Sequence, residues 1–333
     1  MLFEISLVFV LLVLVWMILT FRRWKRSLSS ILERNSKIAV TSAGEIEYAL
    51  KGSGPVLLFL HGGPGGYDQG LLVHEMWNER GFSVLSISRP GYLRTPLTTG
   101  VTFEEQADAV EALLVSLGIS EVVVLGASAG GPVALQFALR HPKRVRALIL
   151  MAAVSQEYIV SESQMKSTMA KIFLSDAMVD IGVWMFDILT RRWPSFSLKM
   201  SSKETVGLDS AALNDYVKQV MSIPEQVLWF KRFMRTACPM SSRMAGLNND
   251  LEQLERVSFE NLNEIMCPTL VVHGTVDTDV PFSNAEFSAN SIPNARLYSI
   301  ENIGHLIWLG EHVSKMNSDL LEYLGELMQL KSR

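Results

Sequence analysis

The segment Gly126-Ala127-Ser128-Ala129-Gly130 has the G-x-S-x-G spacing. A serine hydroxyl is a weak nucleophile, and it becomes an effective one beside a base that a carboxylate orients. The chemistry open to such a group is acyl transfer: attack on a carbonyl carbon, a tetrahedral oxyanion, and an acyl-enzyme that water resolves. The flanking sequence fits this use. Apolar β-formers at 122–125 precede the motif, and a helix-forming run at 133–140 follows it. A strand, a tight turn and a helix are what a nucleophile elbow requires, and glycines allow close backbone approach where the serine is held under strain.

The partners of such a serine follow it in the order acid, then histidine. Of six histidines, His305 lies in Asn302-Ile303-Gly304-His305, between the last strand pattern and the last helix pattern. Loops at the C-terminal edge of a parallel sheet face the binding crevice, so His305 is the expected base. The loop Gly274-Thr275-Val276-Asp277-Thr278-Asp279-Val280-Pro281 offers the acid. The other strand end that could carry one reads Ala152-Ala153-Val154-Ser155 and has no carboxylate. Asp277 is the expected acid, with Asp279 read as a turn residue. Oxyanion donors are expected from the backbone N–H of Ala129, just after the serine, and of Gly63 in His61-Gly62-Gly63-Pro64-Gly65-Gly66. That glycine-rich turn matches neither G-x-G-x-x-G nor G-x-x-x-x-G-K-S/T, so a phosphate loop is not read there.

Positioning these groups requires an α/β framework. Strand patterns are expected at 56–60, 82–88, 121–125, 145–151, 269–273 and 296–300, with helices at 103–117, 128–140 and 307–330. Thr102 with Glu105 has the spacing of a capping box, and Gly118 supplies a stop. Between about 154 and 266 the alternation gives way to helix-like sequence, which holds 10 of the 16 methionines together with Trp184, Trp193 and Trp229. The expected organisation is an anchor with a basic flank at 1–26, a linker at 27–36, a core at 37–153 and 267–333, and a helical cap at 154–266.

The anchor expectation rests on residues 5–21, 17 positions without a charge. As a helix they reach about 25 Å, the short end of a membrane span. Trp16, Phe21 and Trp24 suit an interfacial belt, and Arg22, Arg23, Lys25 and Arg26 follow. No basic residue precedes the run and no A-x-A-like site follows it, which favours an uncleaved single-pass anchor over a signal peptide. By the positive-inside rule the globular part is expected on the cytoplasmic face.

Taken together, HGGPGG, SRPGYLRTP, GASAGG, HGTVDTDVP and GH, in this order over residues 37–330, resemble the α/β-hydrolase superfamily in its branch with a helical cap. The resemblance implies a mostly parallel sheet with helices on both faces, a Ser128–His305–Asp277 triad, a two-step acyl-enzyme mechanism and no cofactor. HGGPGG is similar to the prolyl aminopeptidases in particular. Those enzymes usually have Trp after the serine, where this chain has Ala129, and Ser88 stands where the family usually has Asp. A serine at 128 separates the chain from dehalogenases and epoxide hydrolases, which use an aspartate nucleophile on this fold.

Composition narrows the field. Hydrophobic residues make up 48% and charged residues 19%, which excludes a disordered chain. A formal net charge of −4 gives no sign of nucleic-acid binding. Cys238 and Cys267 are too few for a thiolate metal cage and read as packing residues. The leading expectation is therefore a serine hydrolase of small-molecule or lipid-like carboxylic esters. Amide or C–C bond hydrolysis on the same triad is the alternative, for which Glu157, Asp176 or Asp187 could hold a substrate ammonium. A non-catalytic protein on a degenerate hydrolase fold is the reading from another class.

Overall fold

The computed structural model describes residues 2–77, 81–158 and 175–330. Met165 and Met169 of the methionine-rich stretch lie outside them. Eight strands form one sheet: β1 (Lys37–Thr41), β2 (Gly44–Lys51), β3 (Val56–Leu60), β4 (Ser83–Ile87), β5 (Val122–Ala127), β6 (Val145–Met151), β7 (Thr269–Gly274) and β8 (Ala295–Ile300). Their spatial order is β1-β2-β4-β3-β5-β6-β7-β8. β1 and β2 pair antiparallel, as do β2 and β4, and from β4 to β8 every pairing is parallel.

The central strands are buried on both faces, as parallel strands covered by helices must be. Side chains alternate between the faces. Leu58, Leu60, Val122 and Val124 join one core, and Leu57, Phe59, Val123 and Leu125 join the other. The first core is covered by α3 (Phe103–Leu117), α4 (Gly131–Arg140) and α10 (Ser283–Ser291). The second is covered by α11 (His312–Leu330) and by α7 (Ser210–Met221) and α8 (Pro224–Arg235) of the helical stretch. That stretch also holds α5 (Asp176–Arg192), α6 (Pro194–Ser202) and α9 (Met244–Leu254), and α2 (Tyr67–Trp77) lies between β3 and β4. The Thr102–Glu105 capping box is formed, and Gly118 ends α3 in the left-handed conformation.

The N-terminus departs from expectation. α1 runs unbroken from Leu2 to Asn35, through the expected anchor, its basic flank and the expected linker. Among the described residues no helix is long and apolar enough to cross a membrane. The transmembrane helix, the single-pass anchor and the cytoplasmic placement argued from it therefore do not hold. The physical reason lies in the second half of α1. The charge-free run before it stops at 17 residues, and beyond that run Trp24 and Lys25 turn onto the protein instead of a headgroup layer, while Arg22, Arg23 and Arg26 stay exposed. Trp24 and Leu28 are buried beside Trp184 and Cys238. Trp24 Nε1 donates to Asp187 Oδ2 at 2.8 Å, and Lys25 Nζ reaches Asp180 Oδ2 at 2.5 Å, both on α5.

Candidate active site

Ser128 stands at the C-terminal edge of β5, between the strand and α4, with φ of +50°. A non-glycine residue in that region is strained, and the packing around it holds it there. A Cβ on Gly130 would lie 2.2 Å from Leu60 O, and one on Gly62 would lie 2.8 Å from Ser128 Cβ. Glycine at these two positions is what brings the β3 loop against the serine.

The structure brings Ser128, His305 and Asp277 together from three distant parts of the chain. His305 Nε2 is 3.0 Å from Ser128 Oγ, and His305 Nδ1 is 2.8 Å from Asp277 Oδ2. Asp277 is anchored further. Its Oδ1 accepts from the backbone N–H of Asp279 and of Val280, each at 2.9 Å, and His273 Nε2 lies 3.3 Å from its Oδ2. His305 N–H donates to Thr205 O at 3.1 Å, which fixes the loop carrying the imidazole.

The electrostatics follow from these contacts. Burial alone would raise the Asp277 pKa, but His305 and His273 outweigh it and bring it down to about 2. Burial alone would lower the His305 pKa, but the charges of Asp277 and then Asp279, with the Asp277 hydrogen bond, raise it to about 9. Asp277 is thus a fixed anion, and His305 is a base strengthened on both sides.

A cavity of about 200 Å³ opens over Ser128 and His305, walled by Phe59, Trp229, Phe233, Met234, Leu306 and Trp308. A smaller cavity of about 130 Å³ meets the same serine from the other side, between Ala129, Val154, Tyr158, Leu247, Leu251 and Leu254. Gly63, Ser128 and Asp279 border both. Gly63 and Ala129, the expected oxyanion donors, thus meet Ser128 at the wall of the smaller cavity.

The loop bearing Gly63 is tied down by partners that lie far away in the chain. Arg89 N–H donates to His61 Nε2 at 3.0 Å, so the proton of that ring sits on Nδ1, which donates to Gly62 O at 2.8 Å. Burial, reinforced by the Arg89 charge, keeps the His61 pKa well below its ordinary value, consistent with a neutral ring. Arg89 Nε donates to His61 O at 2.8 Å, while its guanidinium grips Asp250 of α9. Arg243 donates to Gly65 O at 2.6 Å and pairs with Asp68. These partners are 161 and 178 residues apart in the chain, beyond the reach of any spacing rule. His273 and Asp279 could have been found, because they flank the expected acid four residues before and two after it.

A sheet of this order, with a serine elbow after β5, defines an α/β hydrolase. The α/β-hydrolase-fold family model matches residues 55–311, and the chain belongs to that family. It is 29% identical over 300 residues to the uncharacterized hydrolase YcgS of Bacillus subtilis, covering 88% of this chain and 99% of that one. It is 27% identical to the non-heme chloroperoxidase CPO-A1 of Kitasatospora aureofaciens over 85% of this chain and 96% of that one. Among solved structures, an α/β-hydrolase-fold protein from Nakamurella multipartita superposes with a TM-score of 0.78 at 30% identity, covering 86% of this chain and 98% of that one. Other relatives bear the names proline iminopeptidase and 2-hydroxymuconate semialdehyde hydrolase, so the family is a hydrolase family of varied substrates.

Proposed function

We propose that the protein is a serine hydrolase of carboxylic esters that works through an acyl-enzyme on Ser128, His305 and Asp277. The observation that carries this reading is the unbroken relay from Ser128 Oγ to His305 Nε2 at 3.0 Å and from His305 Nδ1 to Asp277 Oδ2 at 2.8 Å. Ser128 Oγ attacks the acyl carbon as its proton passes to Nε2, and Asp277 holds the ring and the charge that forms on it. The backbone N–H groups of Gly63 and Ala129 receive the oxyanion. Gly62 N–H already donates to Gln69 Oε1 at 3.3 Å, which favours Gly63 for that task. His305 returns the proton to the departing alcohol, then activates the water that releases the acid.

The cavity walls favour a neutral, apolar acyl or aromatic group over a charged one. Phe59, Trp229, Phe233, Met234 and Trp308 offer apolar area, and among the described residues no Lys or Arg borders either cavity. Trp229, Phe233 and Met234 belong to the stretch 154–266, which acts as the cap in this reading. The carboxylates considered for an amine substrate lie elsewhere: Asp187 binds Trp24 and Arg191, and Glu157 and Asp176 are exposed. Amide hydrolysis is a second reading because Asp279 does border the cavity and a proline iminopeptidase is among the relatives. Turnover of a p-nitrophenyl ester series compared with aminoacyl p-nitroanilides separates the two. Ester turnover with a preference for uncharged acyl groups is expected, and activity on the anilides alone would overturn the ester reading.

A further inference from the structure

Asp279 takes no part in the relay described above, yet its carboxylate reaches the site. Asp279 Oδ2 lies 3.5 Å from His305 Nε2, the nitrogen that also faces Ser128 Oγ. Its other oxygen, Oδ1, accepts from Tyr158 Oη at 2.8 Å, which fixes the side chain's direction. Its backbone N–H donates to Asp277 Oδ1, so the two carboxylates are held by the same turn and face opposite nitrogens of one ring. Asp279 borders both cavities and keeps 22% of its side-chain surface exposed.

We propose that Asp279 is a positioning residue for His305, holding the imidazolium and its Nε2–H on the substrate side of the ring while Asp277 holds the Nδ1 side. The proposal rests on the reading of Ser128 as the nucleophile. When the Ser128 Oγ–C bond forms, the hydroxyl proton moves to Nε2 and the carbonyl π electrons move to the oxyanion. The proton stays on Nε2, and the positive charge on the ring lies between the two carboxylates. That charge is stabilised in the transition state, at a cost in the free enzyme, where the same field keeps more of His305 protonated and unable to act as a base. The charged and titratable groups that face this ring and its acid include Asp277 and Asp279 from the loop after β7, His273 from the end of β7, and Tyr158 from the segment after β6. The direction of the His305 pKa, raised by both carboxylates against the effect of burial, agrees with this geometry.

The test is the pH dependence of Ser128 phosphonylation by a fluorophosphonate probe, followed by intact mass on the full chain, which needs no knowledge of the natural substrate. Asp279→Asn is expected to move the rising limb of the rate toward lower pH by about one unit and to lower the alkaline plateau by about tenfold or less, so that the two profiles converge or cross. Asp279→Glu should restore the limb, and Tyr158→Phe should fall between. A purely structural role would lower the plateau and leave the limb in place. An unmoved limb, or one displaced toward higher pH, overturns the proposal while leaving Ser128 as the nucleophile. Absence of any adduct in the wild-type chain overturns the Ser128 reading itself, and this proposal with it.

Discussion

The two faces of the His305 ring are built differently. On the Nδ1 side, Asp277 is closed off from solvent and accepts from two backbone amides as well as from His305, with His273 beside it. On the Nε2 side, Asp279 borders open cavity, accepts from the Tyr158 hydroxyl and makes a longer approach to the ring. A carboxylate saturated by buried donors can only orient and hold charge. One at a cavity wall meets substrate and is screened by solvent, so its influence changes as the site fills. In the proposed mechanism one short turn thus supplies a rigidly held carboxylate and a second whose effect varies with what fills the cavity.

This contrast can be broken in order of effect. In the proposed mechanism Ser128→Ala removes the group that both carboxylates serve through His305, and ester turnover is expected to fall by about 10⁴-fold or more. Asp277→Asn should cost about 10³–10⁴-fold in kcat, because the amide no longer holds the imidazole in the needed tautomer. If Asp279→Asn cost as much as Asp277→Asn, the two faces would be equivalent and the distinction would fail.

Stability should show the same asymmetry. The folded His305 pKa lies above its unfolded value, so the stabilisation from its pairing is fully present below about pH 6.5 and is lost as pH rises through about 9. The folded Asp277 pKa is depressed, so its share is present above the ordinary carboxylate value and is lost as pH falls toward about 2. Thermal midpoints measured from pH 6 to 10 should decline less steeply in Asp277→Asn than in the wild type. The smallest effect is expected far from the site. Trp24→Phe deletes the N–H that Asp187 accepts and should cost about 1 kcal/mol of stability without moving the pH limb of activity.

What could be read from residues alone divides along the same line between local and distant causes. β5, the turn at Ser128 and α4 follow from neighbouring residues: apolar β-formers, glycines and a helix-forming run within 19 positions. The alternation of strand and helix is legible for the same reason, since side-chain periodicity reports which face is buried. Asp279 reads from its neighbours as a turn residue, and its backbone does lie in a turn. Its place beside Nε2 depends on β8 and the His305 loop closing over it, 26 residues later. Hydropathy along residues 5–21 carries no trace of Asp187, which receives the N–H of Trp24, just beyond that run, from 163 residues away. The Arg89–Asp250 and Arg243–Gly65 ties to the Gly63 loop were hidden in the same way, because each joins the core to a helical stretch with no periodic relation to it.

The reactivity of one hydroxyl, Ser128 Oγ, decides the matter most directly. Intact mass of the full chain after treatment with a fluorophosphonate should show a single adduct that peptide mapping places on Ser128, absent from Ser128→Ala and strongly slowed in His305→Ala. An unlabelled folded wild-type chain, or an adduct that survives in Ser128→Ala, would contradict it.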